Sequence, residues 1–331
     1  MNERELLEAV GRLPKSIEPP RDLWPGIEAR LGRRWRRWYW IPLGAAAAVV
    51  AVLVGRGGGG GGGGGREAWD VSQVAGRPMV GAAPLRGAGT LRVGEWVETD
   101  DSSRARIAVG RIGQVDVQPG TRIRLVEARP DAHRLALAHG TIAAQVDAPP
   151  RIFFVDTPAG TAIDLGCVYT LEMDSLGNGR LHVTLGYVEF RWGGRRAIVP
   201  MGALALTRPG VGPGTPYVED APAALRRALA AFDFEGRGEP ALRAALAAAR
   251  PDDALSLWHL LERVDPPVRG VVYDRLAGLV PPPAGVTRDA AIALQPAALD
   301  AYWRAIQRIL FRKVILQGIR DIDPRTGRTV R

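Results

Sequence analysis

Apolar residues along this chain follow three distinct patterns. Between residues 70 and 210 they alternate with polar ones. Ala105, Ile107 and Val109 are set against Arg104 and Arg106, and Ile123 with Leu125 and Leu135 with Leu137 repeat the spacing. Such alternation puts every second side chain on one face and predicts strands. Turn signals interrupt the run at Asp100-Asp101-Ser102-Ser103, Pro119-Gly120, His139-Gly140, Thr157-Pro158 and Gly193-Gly194. Leu171 and Met173 lead into Gly177-Asn178-Gly179, and Leu181, Val183 and Leu185 answer them, the signature of a hairpin. About ten short strands at this spacing predict an all-β domain over 70–210, built of stacked short strands as a sandwich or β-solenoid.

After residue 219 the period changes. Leu255, Trp258, Leu261 and Val264 recur three and four apart, and similar spacing predicts helices over 223–232, 239–250, 252–264, 267–279 and 297–316. Pro251 suits a first helical turn, and Pro281-Pro282-Pro283 is a hard break. Short links between helices predict a C-terminal all-α helical module over 219–316, either a small bundle or one to two units of an α-solenoid. The polar residues 317–331 predict a disordered tail.

The third pattern is an unbroken apolar run over residues 38–55, from Trp38 to Gly55, with no charge in it. As a helix it would be about 27 Å long, enough to cross a hydrocarbon core, and it predicts a single-pass membrane protein. Trp38, Tyr39 and Trp40 stand where aromatic rings favour the headgroup layer, and Pro42 falls in the tolerant first turn. Arg33, Arg34, Arg36 and Arg37 crowd the preceding flank, so the positive-inside rule puts residues 1–37 in the cytoplasm and the long remainder outside. Residues 56–69 form a linker containing nine consecutive glycines, a flexible tether with a reach of about 17 Å.

The segment 1–37 predicts two short amphipathic helices. Leu6, Leu7, Val10 and Leu13 form the first, ended by Pro14; Asp22 caps the second, which carries Trp24, Ile27 and Leu31 on one face. Two short helices cannot bury a core of their own. Trp24, Ile27 and Leu31 are therefore the candidate partner-binding residues; a bare juxtamembrane tail is the competing account.

The chain has 331 residues, room for about two or three domains. A net charge of +9 raises the question of nucleic acid. The 44 basic residues are almost all arginine, with Lys15 and Lys313 the exceptions, and they are scattered, which argues for solvated surface charge and no nucleic-acid partner. The single cysteine, Cys167, can form no internal disulfide and reads as a small buried hydrophobe.

One segment carries a resemblance. Its residues are Val93-Gly94-Glu95-Trp96-Val97-Glu98-Thr99, Arg104-Ala105-Arg106-Ile107, Val117, Pro119-Gly120-Thr121 and Leu135-Ala136-Leu137 with Gly140. Then come Phe154-Val155-Asp156-Thr157-Pro158-Ala159-Gly160, Leu165-Gly166-Cys167-Val168-Tyr169, Val183-Thr184-Leu185-Gly186-Tyr187-Val188 and Val199-Pro200-Met201-Gly202. In order and spacing, residues 90–207 resemble the FecR domain of transmembrane anti-sigma regulators. The family usually has Gly-Thr-x-Phe where this chain has Gly166-Cys167-Val168-Tyr169. The resemblance implies stacked short strands outside the membrane and brings no catalytic residues.

No G-x-S-x-G, P-loop or H-E-x-x-H occurs. His133, His139, His182 and His259 are far apart in sequence and read as surface or turn residues, and no metal site is expected. Many anti-sigma proteins carry a His-x-x-x-Cys-x-x-Cys zinc motif in the inner domain; residues 1–37 here have neither His nor Cys, so a sigma-factor contact would be zinc-free. Asp100-Asp101 and Asp252-Asp253 read as turn and capping residues. The expectation is therefore a non-enzyme without catalytic, cofactor or metal sites. It would be a bacterial inner-membrane signal-transducing regulator, with a sigma factor as inner partner and an envelope protein or polymer as outer partner. The alternative is an envelope scaffold or wall-polymer-binding protein whose inner tail is only an anchor.

Overall fold

Among the described residues, sixteen strands carry out the alternation read from the sequence. They are β1 (Ala68–Ala75), β2 (Met79–Val80), β3 (Ala83–Pro84), β4 (Ala88–Arg92), β5 (Trp96–Glu98), β6 (Arg104–Val109), β7 (Gly113–Val117) and β8 (Arg122–Arg129). After them come β9 (Ala132–Val146), β10 (Phe153–Thr157), β11 (Gly160–Met173), β12 (Gly179–Trp192), β13 (Arg195–Pro200), β14 (Ala203–Arg208), β15 (Gly212–Pro213) and β16 (Tyr217–Val218). The computed structural model describes residues 68–320, with side chains through Arg312. The amphipathic helices of 1–37, Trp24, Ile27 and Leu31 among them, lie outside the described residues, as do the apolar run 38–55 and the glycine tract. Among the described residues no helix is long and apolar enough to cross a membrane.

All strands belong to one sheet, with the main order β15-β14-β12-β11-β10-β9-β7-β6-β1-β4. Every pairing is antiparallel except β9 with β10. Short strands alone do not describe it: β9 has 15 residues, and β11 and β12 have 14 each. Each long strand serves two sets of neighbours. In β9, residues 133–136 pair with β10, whereas residues 140–146 pair with β11 and 142–146 with β7. In β12, residues 187–192 pair with β13 and residues 179–183 with β14.

The changeovers fall at Gly140, Gly166 and Gly186, with φ of 95°, 90° and 76°. A side chain at Gly140 would run into Thr121, and one at Gly186 into the carbonyl oxygen of Gly166. Glycine is required there by close approach as well as by φ. Across the bulge between Asp164 and Cys167 the alternation slips by one. Ala162 and Asp164 are buried before the bulge; Cys167, Tyr169, Leu171 and Met173 are buried after it. The sheet thereby folds back on itself. The tip of the β11–β12 hairpin returns to the turn that starts β11, where a Cβ on Gly177 would lie 2.8 Å from Pro158. That hairpin is set by Asp174, whose carboxylate accepts the Leu176 and Asn178 N–H groups at 2.9 and 2.8 Å.

The helices are α1 (Ala223–Phe234), α2 (Gly238–Ala248), α3 (Ala254–Arg263), α4 (Arg269–Leu279), α5 (Arg288–Ile292) and α6 (Pro296–Arg320). The five helices expected from periodicity are present, and α5 is an additional short one, started by Thr287 capping Ala290. The last helix runs to Arg320, past the expected end at 316, because its helical spacing continues through Ile319.

Asp253 sits at the start of α3, but its carboxylate makes no cap bond into that helix; it turns back to accept the Arg250 N–H at 2.9 Å, closing the single turn Pro251–Asp253. The α3 helix is buried at every position from Ala254 to Leu261, so it is the central helix of the module. Trp258 Nε1 donates to the Leu299 carbonyl at 3.1 Å, and the Trp258 and Trp303 ring centroids lie 5.0 Å apart. Sheet and helices share one hydrophobic core, running from Trp69 through Leu171 and Phe190 to Leu257, Tyr302 and Leu310.

Candidate functional site at the bend of the sheet

Two groups of chemically distinct side chains lie near the place where β11 and β12 fold over, one on each face of the pair. The segment before β10 delivers Arg151, a non-glycine residue with φ of 69°. Its N–H donates to the Asp164 carbonyl at 2.8 Å, and its guanidinium reaches Glu189 Oε2 at 2.7 Å. Arg191 Nε holds the other oxygen of Glu189 at 2.6 Å. Glu189, buried on β12, is thus clamped between two guanidinium groups that reach solvent.

Asp164 lies on the neighbouring strand with its side chain on the opposite face of the pair, and is equally buried. Its carboxylate accepts the Gly166 N–H at 2.6 Å and the thiol of Cys167. Burial pushes its pKa up to about 6, against the lowering effect of those two hydrogen bonds. Burial, reinforced by the Asp164 charge, raises the Cys167 thiol far above the range where it would ionise. Tyr169, on the same inner face, is sealed with its hydroxyl unpartnered, and burial holds it well above its ordinary pKa.

The arrangement keeps the thiol protonated and inert as a nucleophile. It gives Asp164 the capacity to take up or release a proton near neutral pH. Cys167 is the buried small residue expected from the sequence. The carboxyl facing it was not foreseen; the visible signal was an acidic residue two positions before Gly166, at a site where alternation fails.

The outer face of the sheet carries a second cluster. Arg122 lies over the Trp96 ring with its guanidinium carbon 4.3 Å from the centroid, and Arg124 approaches the same ring at 5.2 Å. Arg134 covers Phe154 at 4.6 Å while pairing with Asp156 at 2.7 Å. The register makes this stacking, since Trp96 faces Arg124 directly across β5 and β8.

The expectation that the histidines are surface or turn residues fails for two of them. His259 is 2% exposed and His133 5%. His259 Nε2 accepts the Ile198 N–H at 3.0 Å, and Nδ1 lies 3.0 Å from the Leu255 carbonyl, a helix-to-sheet tie. His133 is stacked against Trp69 with centroids 5.6 Å apart. Among the described residues no three metal-ligating side chains gather in one place.

No family profile matches the chain, and no curated protein matches it. Two crystal structures of a candidate anti-sigma factor from Parabacteroides distasonis ATCC 8503 resemble it, each at 17% identity and a TM-score of 0.34 over 40% of this chain. The chain spans 62% and 63% of those two chains, less than two thirds of their length.

Proposed function

We propose that the chain is a membrane-anchored signalling regulator of the bacterial envelope. Residues 38–55 cross the inner membrane, residues 1–37 face the cytoplasm, and the sheet with its helices lies outside, where it meets an envelope protein or polymer. Trp24, Ile27 and Leu31 seat a sigma factor without zinc, by the helix-in-groove mode. The protein works by binding and needs no catalysis or cofactor.

One observation carries this reading. The glycines through which residues 90–207 resemble the FecR domain are Gly94, Gly120, Gly140, Gly160, Gly166, Gly186 and Gly202. All seven stand at positive φ, from 65° at Gly120 to 136° at Gly160. The spacing that carries the resemblance is therefore the spacing of turns and bends in one folded sheet. The scaffold alternative draws on the stacked Trp96 corner, whose guanidinium edges suit an acidic polymer.

Trp24→Ala tests the choice. An interface tryptophan typically contributes about 2 kcal/mol or more, so its loss lowers partner affinity about thirtyfold. Transcription of the target regulon should change while membrane insertion stays intact. Unchanged transcription after deletion of residues 2–31, with the Arg33–Arg37 flank kept, would overturn the signalling reading and favour the scaffold.

A further inference from the structure

From β9 the ladder runs one way through β7, β6 and β1 to β4, and the other way through β8, β5 and β2 to β3. The two routes make a ring with one gap, between β3 and β4. Among the described residues β3 pairs only with β2, and β4 only with β1. A groove of about 480 Å³ lies along this seam, lined by Val80, Pro84 and Leu85 from the β2–β3 side and by Ala88, Thr90 and Arg92 from β4. The connection leaves room for one more strand. A missing strand separates its neighbours by about 9.6 Å, two spacings of a sheet. Pro84 and Ala88 are joined through Leu85, Arg86 and Gly87, a path that reaches at most about 14 Å.

The β4 edge carries unused backbone groups. The Gln73 N–H donates to the Gly87 carbonyl at 2.6 Å, so Gly87 faces β1. Antiparallel pairs alternate, so Gly89 and Leu91 also face β1, opposite Val71 and Trp69. Ala88, Thr90 and Arg92 therefore turn their N–H and C=O groups away from it. The Arg92 N–H fits this alternation by donating to Glu95 Oε2 at 2.8 Å. The N–H groups of Ala88 and Thr90 have no partner among the described residues. Across the groove Pro84 has no N–H to offer, as suits an edge strand, and Val80 and Leu85 pack with the hydrophobic core. Arg86 is exposed and makes no ion pair among the described residues. Arg92 and Glu95 answer each other at 3.5 Å.

The geometry points to strand addition at this seam. An extended segment of an envelope protein lies between β3 and β4, apolar at every second position and acidic at its Arg86 end. Unpaired donors and acceptors require a peptide backbone, the apolar floor takes alternate side chains, and Arg86 takes a carboxylate. This docking rests on the proposed reading in which the sheet meets an envelope protein, and it gives that partner a place and a chemistry.

The experiment uses the full chain in mild detergent with a short capped peptide, glutamate followed by alternating valine and threonine. The peptide should slow amide exchange over residues 88–92, read by mass spectrometry, and leave α3 unchanged. The same peptide with its amides N-methylated should have no effect. Thr90→Pro removes an outward donor without touching the β1 ladder. It should weaken the peptide about fivefold, the worth of one net hydrogen bond, with circular dichroism unchanged. Arg86→Glu should weaken the glutamate peptide and favour one that begins with arginine. Absence of slowing with the unmethylated peptide, or equal slowing by the N-methylated one, would overturn the proposal. Equal slowing by polygalacturonate would overturn it by assigning the edge to a polymer. Protection that grows with protein concentration alone would overturn it by assigning the edge to a second copy. None of these results alters the Trp24→Ala transcription test, so failure of the seam and failure of the signalling reading are told apart.

Discussion

Arg106 and Asp116 meet at 2.6 Å on the open face of β6 and β7, while Arg263 and Asp233 meet at 3.1 Å with both side chains sealed from water. The outer sheet carries its charges as cross-strand pairs in solvent, with Arg122–Glu98 and Arg180–Glu172 as further cases. Its stability rests on the backbone ladders and the apolar face beneath. The junction of sheet and helices is built from buried polar groups. Asp233 accepts the Thr215 N–H at 2.6 Å and also holds the Arg263 guanidinium, which donates to the carbonyls of Pro213, Gly214 and Arg196. Ser256 Oγ donates to the Pro216 carbonyl at 2.7 Å. Apolar packing would let the helices slide on the sheet. Buried donors and acceptors that must each find a partner allow one seating.

The sharpest way to break this contrast is Asp233→Ala. It removes the carboxylate that pairs with the buried Arg263 guanidinium, and unfolding free energy should fall by about 3–5 kcal/mol. The double variant Asp233→Leu/Arg263→Met should recover only part of that loss, because it leaves the Thr215 N–H and the Pro213, Gly214 and Arg196 carbonyls without these partners. Urea unfolding of the full chain in mild detergent, followed by tryptophan fluorescence, measures both. A loss under about 1 kcal/mol in the single variant would mean that the junction is held by packing alone.

The next effect is a pH dependence with opposite signs at the bend and at the junction. Burial, aided by the Arg263 charge, lowers the His259 pKa to about 3, so the folded state binds fewer protons than the unfolded chain between pH 3 and about 6.5. Its contribution weakens as pH falls through that window. Asp164, raised to about 6, binds more protons folded than unfolded between about pH 4 and 6, so its cost grows as pH rises and is fully present at pH 7. Asp164→Asn should therefore stabilise the protein at pH 7.5 by about 2–3 kcal/mol and by less at pH 5. His259→Gln should flatten the acid side of the profile. Parallel pH profiles for the two variants would sink the assignment.

The smallest effect belongs to the open face. Arg106→Ala should change stability by less than about 0.5 kcal/mol, and less still in high salt. A loss comparable to that of Asp233→Ala would erase the distinction between the two regions.

Much of this architecture follows from local pattern. Period-two alternation, turn dipeptides such as Pro119-Gly120 and the three-and-four spacing of Leu255, Trp258 and Leu261 fixed strand and helix identity, because each depends on neighbours within one turn or one hairpin. The burial of Cys167 was legible for the same reason. The tertiary structure decided what local spacing does not contain. It joined runs that read as separate strands into long ones bent at Gly140, Gly166 and Gly186, since a bend keeps the ladder while reversing which face is buried. It buried His259, Arg263 and Asp164. His259 binds a backbone N–H 61 residues away, and Arg263 an Asp233 30 residues away. A polar side chain's burial is set by whether distant chain supplies its partner, and that information appears only when the sheet and the helices meet.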